Sequence, residues 1–435
     1  MQAGLSTQNA PSPSVVLPHF VFGALMFLAS GIVMMIAAPQ LILPYHLNAH
    51  MLTLTHTMVL GFISMLIFGS LYQLIPVVME VKLRSERMAK ITFYLFGTGL
   101  LILVIAFWEA NFGPQQNWRW FEISGTLILV AVFLFAINTL ISAAKTKRKD
   151  IGNLFIITAI VYLTLTVSLA VLMIINFAVP FIPVSILDLL KMHINLGLVG
   201  WFLFLVIGVA SKLMPMFLII HKLPEHLLKY AYYLLNAGLI MIVSAFYFYP
   251  KTWLIALSVL LIFAGIGLFL YFNYYAFKHR FRKNLDVGMK LSKVAFLILA
   301  FALILSIFAL TTPEFTASFQ YRIDIALIMS LIFGFLTALI LGQTYKTLPF
   351  IIWLQKYQAK VGKEKTPLPQ ELYSDRVAQW HANTYLIAFP LLIAGELLGM
   401  AWLIKVAAVF FIITGLLYNF NVFKIVLHKE KIIKS

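Results

Sequence analysis

Thr55-His56-Thr57-Met58-Val59-Leu60-Gly61, continuing through Gly69 to Pro76, is the stretch on which the fold turns, because its skeleton occurs three times. The skeleton is Gly, seven residues, Gly, six residues, Pro: Gly61/Gly69/Pro76, Gly200/Gly208/Pro215 and Gly334/Gly342/Pro349, each inside a long apolar run. With 23 Gly and 17 Pro in 435 residues, chance supplies about 0.05 copies, so three in phase mark an internal repeat. Equivalent glycines lie 139 and 134 residues apart, which divides the chain into three units, about 17–144, 153–277 and 289–427. His56 stands five residues ahead of the first Gly of its copy and His193 seven ahead, whereas the third copy has Asp324 ten ahead and no histidine.

The surrounding medium follows from composition. A chain that is 62% hydrophobic and 11% charged, with a mean hydropathy of +0.97, has too few polar residues to cover a water-facing surface. Consecutive apolar runs of helix-spanning length, rather than short alternating segments, predict an all-α polytopic membrane protein of about twelve transmembrane helices. The expected spans are 17–39, 52–80, 88–110, 119–144, 153–180, 185–220, 226–250, 252–277, 289–312, 321–351, 377–400 and 402–427. The hydrophilic stretch 356–376 reads as a surface loop on the cytoplasmic side. Cysteine is absent, which excludes disulfides, thiolate metal sites and covalently attached c-type haem.

The net charge of +17 is topological rather than a nucleic-acid signal. Of the 32 Lys and Arg, 27 fall at the even-numbered connections and the C-terminus, leaving Arg119, Lys191, Lys251, Arg322 and Lys405 at the other ends of spans. That asymmetry predicts even connections and both termini in the cytoplasm. The first sixteen residues carry no Lys or Arg and do not read as a secretion signal.

Depth sorts the histidines. His46, His50, His56 and His193 fall towards the outer side; His19, His221, His226, His279, His381 and His428 fall towards the cytoplasm and read as interfacial. Imidazole suits haem iron and copper, so an outer histidine layer on equivalent helices is a candidate metal site, weighed against simple hydrogen bonding between helices. His56 and His193 occupy related places that a rotation about the membrane normal would aim at one centre. His46 and His50, four apart, would share a face if their connection is helical. Arg119 and Arg322 are candidates for holding haem propionates. Asp188, Glu109, Asp324 and Glu396 are expected to pair with Arg119, Arg322 or Lys405 rather than to form a proton path.

His193-Ile-Asn-Leu-Gly-Leu-Val-Gly200-Trp201, followed by Gly208 and Pro215, resembles the tenth helix of haem–copper oxidase catalytic subunits, especially the cbb3 type. That helix has His-x-His, then Gly-Trp, Gly and Pro at similar spacing; His193 falls at the first histidine and Asn195 at the second, while His56 falls at the second in its own copy. The resemblance implies twelve spans in three arcs of four, metals near the outer face, and b-type haem, carried over to His56 and His193 only. The chain has no His-His pair, no His-x-His and no histidine in span ten, so the resemblance does not extend to a normal binuclear haem–copper centre. It is similar instead to the twelve-span haem- and copper-containing proteins of the NnrS group linked to nitric oxide stress.

The function expected is therefore that of a haem- and/or copper-binding bacterial inner-membrane protein, in electron transfer or nitric oxide handling. Respiratory membrane subunits or a cytochrome are the partners such a role implies. A transporter or assembly factor for metal, haem or small solute, and a metal-free structural subunit of a respiratory complex, are the competing readings.

Overall fold

A computed structural model of the chain describes residues 9–44, 48–113, 115–147, 150–220, 222–248, 250–311 and 317–430. Twelve helices are long and apolar enough to cross a membrane: α1 Pro13–Leu41, α2 Ala49–Val78, α3 Glu86–Trp108, α4 Arg119–Ala143, α5 Ile151–Ala178, α6 Ile186–Leu218, α7 Glu225–Phe248, α8 Thr252–Lys278, α9 Val287–Leu310, α10 Phe319–Lys360, α11 Asp375–Leu398 and α12 Ala401–Val426. No strand occurs among the described residues. The expected spans recur within a few residues except for α10. That helix runs on through Lys356 to a last turn at Gln358–Lys360, into the stretch expected to be loop. Trp353 Nε1 donates to Pro367 O (2.6 Å), tying the connection that follows back onto the helix.

The described chain packs as two compact units. One comprises mainly Leu74–Leu103 and Gln115–Asn284, and so holds most of α3 and all of α4–α8; the other comprises Pro11–Gln73, Val104–Pro114 and Leu285–Ser435, and holds α1, most of α2 and α9–α12. We call them the middle unit and the terminal unit.

In each copy of the Gly/Gly/Pro skeleton the helix widens into a π-helical stretch: Thr57–Ser64 in α2, Leu196–Leu203 in α6 and Ser330–Leu336 in α10. The first Gly of the skeleton is the fifth residue of all three. Short π stretches inside α-helices are rare and concentrate at functional sites. What the glycine supplies is proximity. A Cβ on Gly61 would meet Met26 of α1, one on Gly200 would meet Tyr162 of α5, and one on Gly334 would meet Ile298 of α9, at 3.0, 2.8 and 2.6 Å. Met26, Tyr162 and Ile298 are evenly spaced along the chain, as are the partners of the second glycine: Val16 O against Gly69, Gly152 O against Gly208 and Gly288 O against Gly342. The first two helices of each copy therefore share one packing scheme, set where no side chain separates the backbones.

That scheme carries an ion pair in two of the three copies. Asp150 receives Asn153 N–H at the start of α5 (3.0 Å), and its other oxygen pairs with Lys212 of α6. Asp286 likewise receives Met289 N–H (3.0 Å) at the start of α9 and pairs with Lys346 of α10. Each lysine stands four residues beyond the second Gly; Gln73 takes that place in α2. A carboxylate at a helix N-terminus satisfies a free N–H and complements the helix dipole while holding the neighbouring helix end.

Pro76 and Pro215 lie in the last turn of their helices, as a residue that ends a span would, whereas α10 continues for about three turns beyond Pro349.

Candidate functional site

His56 closes the first α-helical stretch of α2, immediately before its π segment. Its Nδ1 donates to Leu52 O (2.8 Å) one turn back, because a carbonyl only accepts. In the neutral ring Nε2 is then the unprotonated nitrogen, carrying the lone pair that binds metals. Phe107 of α3 lies against the ring at 4.8 Å between centroids, tilted by 34°. The next aromatic residue, Trp108, stands edge-on to His50 at 4.7 Å. His50 sits in the first turn of α2, which Asn48 caps by accepting from His50 N–H (3.0 Å) and Met51 N–H (3.1 Å). Six residues separate His50 from His56, which puts them about 120° apart around the helix rather than on one face. His46 lies outside the described residues.

His193 is the counterpart in the middle unit. Its Nδ1 donates across helices to Thr166 O of α5 (3.1 Å), again leaving Nε2 as the acceptor nitrogen. Thr166 is itself steadied by its hydroxyl, which donates to Tyr162 O (2.7 Å). One turn beyond His193 is Gly197, where a Cβ would rest at 3.4 Å from Thr166 Cγ2, an ordinary contact with the same residue of α5 that holds His193. Asn195 turns away from any such role: its Nδ2 donates to Lys191 O (2.9 Å) along its own helix.

The candidate propionate partners differ. Arg119 is exposed at the start of α4, and its backbone N–H donates to Asn117 Oδ1 (3.2 Å). Arg322 of α10 is half-buried and lies against Gly399, the left-handed residue (φ +66°) that ends α11. Of the four acidic residues expected to pair, Asp188 takes a nearer partner, Lys191 (3.1 Å), and accepts from the Ser185 hydroxyl (2.7 Å). Asp324 accepts from Gln320 (3.2 Å). Among the described residues neither carboxylate oxygen of Glu396 has a hydrogen-bond partner.

Two histidines assigned to the interface by depth are wholly buried: His19 in α1 and His381 in α11. His381 Nδ1 donates to Ala378 O (2.9 Å), and the ring lies between Tyr345 (5.4 Å) and Tyr418 (5.9 Å, stacked). Depth along the span does not reveal this, because His381 lies on the face of α11 that packs inside the terminal unit. The usable signal was spacing: Ala378, His381, Ala382 and Tyr385 repeat at three and four residues, the period of a buried helix face.

Tyr385 also completes a π segment. Its hydroxyl donates to Phe333 O (2.9 Å) and Gly334 O (2.8 Å), and the Thr337 hydroxyl donates to Ile332 O (2.7 Å), so side chains cover carbonyls in the widened turn of α10.

Among the described residues no three of His, Asp and Glu converge so as to hold a metal ion. A porphyrin supplies four of its iron's ligands and asks one or two axial imidazoles of the protein. His56 and His193, each a single imidazole whose Nδ1 is held by a backbone carbonyl, suit that request. A mononuclear copper site built from several chain ligands fits it less well.

The fold and these residues define the class: an all-α, multi-span membrane protein. No protein-family profile matches the chain. It is similar to a protein of Aquifex aeolicus (strain VF5) described as uncharacterized, with 27% identity over 308 residues, 70% of this chain and 72% of that one.

Proposed function

We propose that the chain is a haem-binding membrane protein, in electron transfer or nitric oxide handling, with His56 and His193 as axial ligands in their respective units. The observation that carries the reading is the matched state of the two imidazoles. Each Nδ1–H is held by a backbone carbonyl, which fixes the tautomer and orients Nε2 as the ligand atom. The small side at Gly197 favours close approach of a flat ring to the backbone next to His193, and Phe107 is a ring on which one could pack beside His56. Haem would supply one-electron iron chemistry and a site for a small gas. The chain's own part is to orient the imidazoles and, through Arg119 or Arg322, to meet propionates. The asymmetry of Lys and Arg supports both termini lying in the cytoplasm of a bacterial inner membrane.

The test is an absorption spectrum of the detergent-purified protein from haem-replete cells, oxidised and dithionite-reduced, with iron and copper measured on the same sample. A reduced α-band that His56→Ala or His193→Ala abolishes, while the variants still elute as wild type, is expected. A flat spectrum without iron would remove the reading.

The three π segments favour one other reading, a transporter or assembly factor. Interrupted helices are where transporters build solute sites. Solute flux in proteoliposomes of metal-free protein would move the function there.

A further inference from the structure

Glu396 lies within α11 at 0% exposure, and among the described residues neither of its carboxylate oxygens has a hydrogen-bond partner. Its surroundings in the terminal unit are specific. α12 brings Ile404 against Gly395; its Lys405 is exposed, and Lys424 is near its far end. α9 carries Lys290 and Lys293, both exposed, in its first two turns. On the near part of α10 the charged groups are Arg322 and Asp324, the latter accepting from Gln320. Arg322 is the cation at hand, but its guanidinium packs on the backbone at Gly399, beyond the end of α11, where the negative end of the helix dipole favours it. It is therefore close enough to be felt by Glu396, yet makes no ion pair with it. An ionised carboxylate inside a span without a donor is strongly disfavoured, and the neutral acid is the form this setting accepts.

We propose that Glu396 is a proton-binding site, taking up a proton as its carboxylate becomes the carboxylic acid and releasing it with Arg322 as the counter-charge. The route of exchange follows from position. Glu396 is two residues from the end of α11, about 3 Å along the axis, whereas Tyr385, the next protonatable group on that face, is eleven residues inward, about 16 Å. Leu392 fills the buried face between them, and Phe389 packs over Gly334. Exchange therefore runs through the α11–α12 turn and not across the unit.

Infrared spectroscopy of the full-length protein in lipid tests it. The wild type should show a carboxylic-acid C=O stretch at neutral pH that shifts in D2O and is lost on raising the pH. E396Q should lack it, and E109Q should retain it. R322Q should move the loss to higher pH, because the counter-charge that favours ionisation is gone. Spectra of wild type and E396Q that coincide in this region, or a band insensitive to both D2O and alkali, would overturn the proposal. If E396Q does not fold, R322Q decides: an unmoved midpoint overturns it too.

Discussion

Substituting Gly342 by Ala should loosen the terminal unit, and the expected size can be worked from the α9–α10 contact. The new Cβ would fall 2.6 Å from Gly288 O and 3.0 Å from Leu291 Cβ. A carbon and a carbonyl oxygen rest at about 3.3–3.6 Å, so the two helices must part by about 0.8 Å. The oxygen belongs to the backbone and cannot rotate away, which places the cost towards the upper end of the roughly 1–3 kcal/mol for overpacking. Alanine's better helix propensity returns about 1 kcal/mol, leaving a net loss of about 2 kcal/mol. At roughly 2–4 °C per kcal/mol for a unit of this size, the apparent Tm should fall by about 4–8 °C. Gly267→Ala is the control, because nothing lies within 4 Å of its Cβ position and it should melt at or slightly above wild type. The assay is the monodisperse fraction remaining after heating, read by size-exclusion chromatography. If Gly342→Ala melts with wild type or with Gly267→Ala, the close approach of the backbones is not what holds these helices together.

Other consequences follow from single contacts. Tyr385→Phe removes the donor shared by Phe333 O and Gly334 O, and should cost about 1–3 kcal/mol in the same heating assay without altering the elution of unheated protein. Lys346→Met strands Asp286 at a helix start, with side chains only 13% and 20% exposed, and should destabilise by about 1–3 kcal/mol. Adding Asp286→Asn to Lys346→Met should restore part of that loss, since the stranded charge goes with it; strict additivity of the two would show that the pair is not coupled.

The membrane class and the number of spans were legible because hydropathy is a local property: a run of apolar residues has one use in a lipid-spanning chain, whatever its neighbours are. The skeleton of Gly, Gly and Pro was legible for a related reason, since glycines that let backbones touch cannot be replaced without moving a helix. What they touch was not. Met26, Tyr162 and Ile298 carry no common chemistry, and only packing shows them as equivalents. The π stretches were equally hidden, because their hydrophobic pattern differs from an α-helix by a single residue. Asp150 with Lys212, and Asp286 with Lys346, are joined across helices, and Gln73 breaks the pattern that spacing alone would need.

At the candidate site the division is sharper. His56 and His193 could be selected from the sequence because they precede equivalent glycines; that the carbonyl fixing His193 belongs to Thr166, on another helix, is a fact of packing. Burial of His19 and His381 was missed, since depth along a span says nothing about which way a helix face turns. The sequence by itself determined the solvent of this protein, its twelve helices and the places where helices come close, because each depends on a residue's own polarity or lack of a side chain. Tertiary structure alone decided which polar groups meet, which are sealed from donors and which carbonyl holds His193, because those depend on partners brought from elsewhere in the chain.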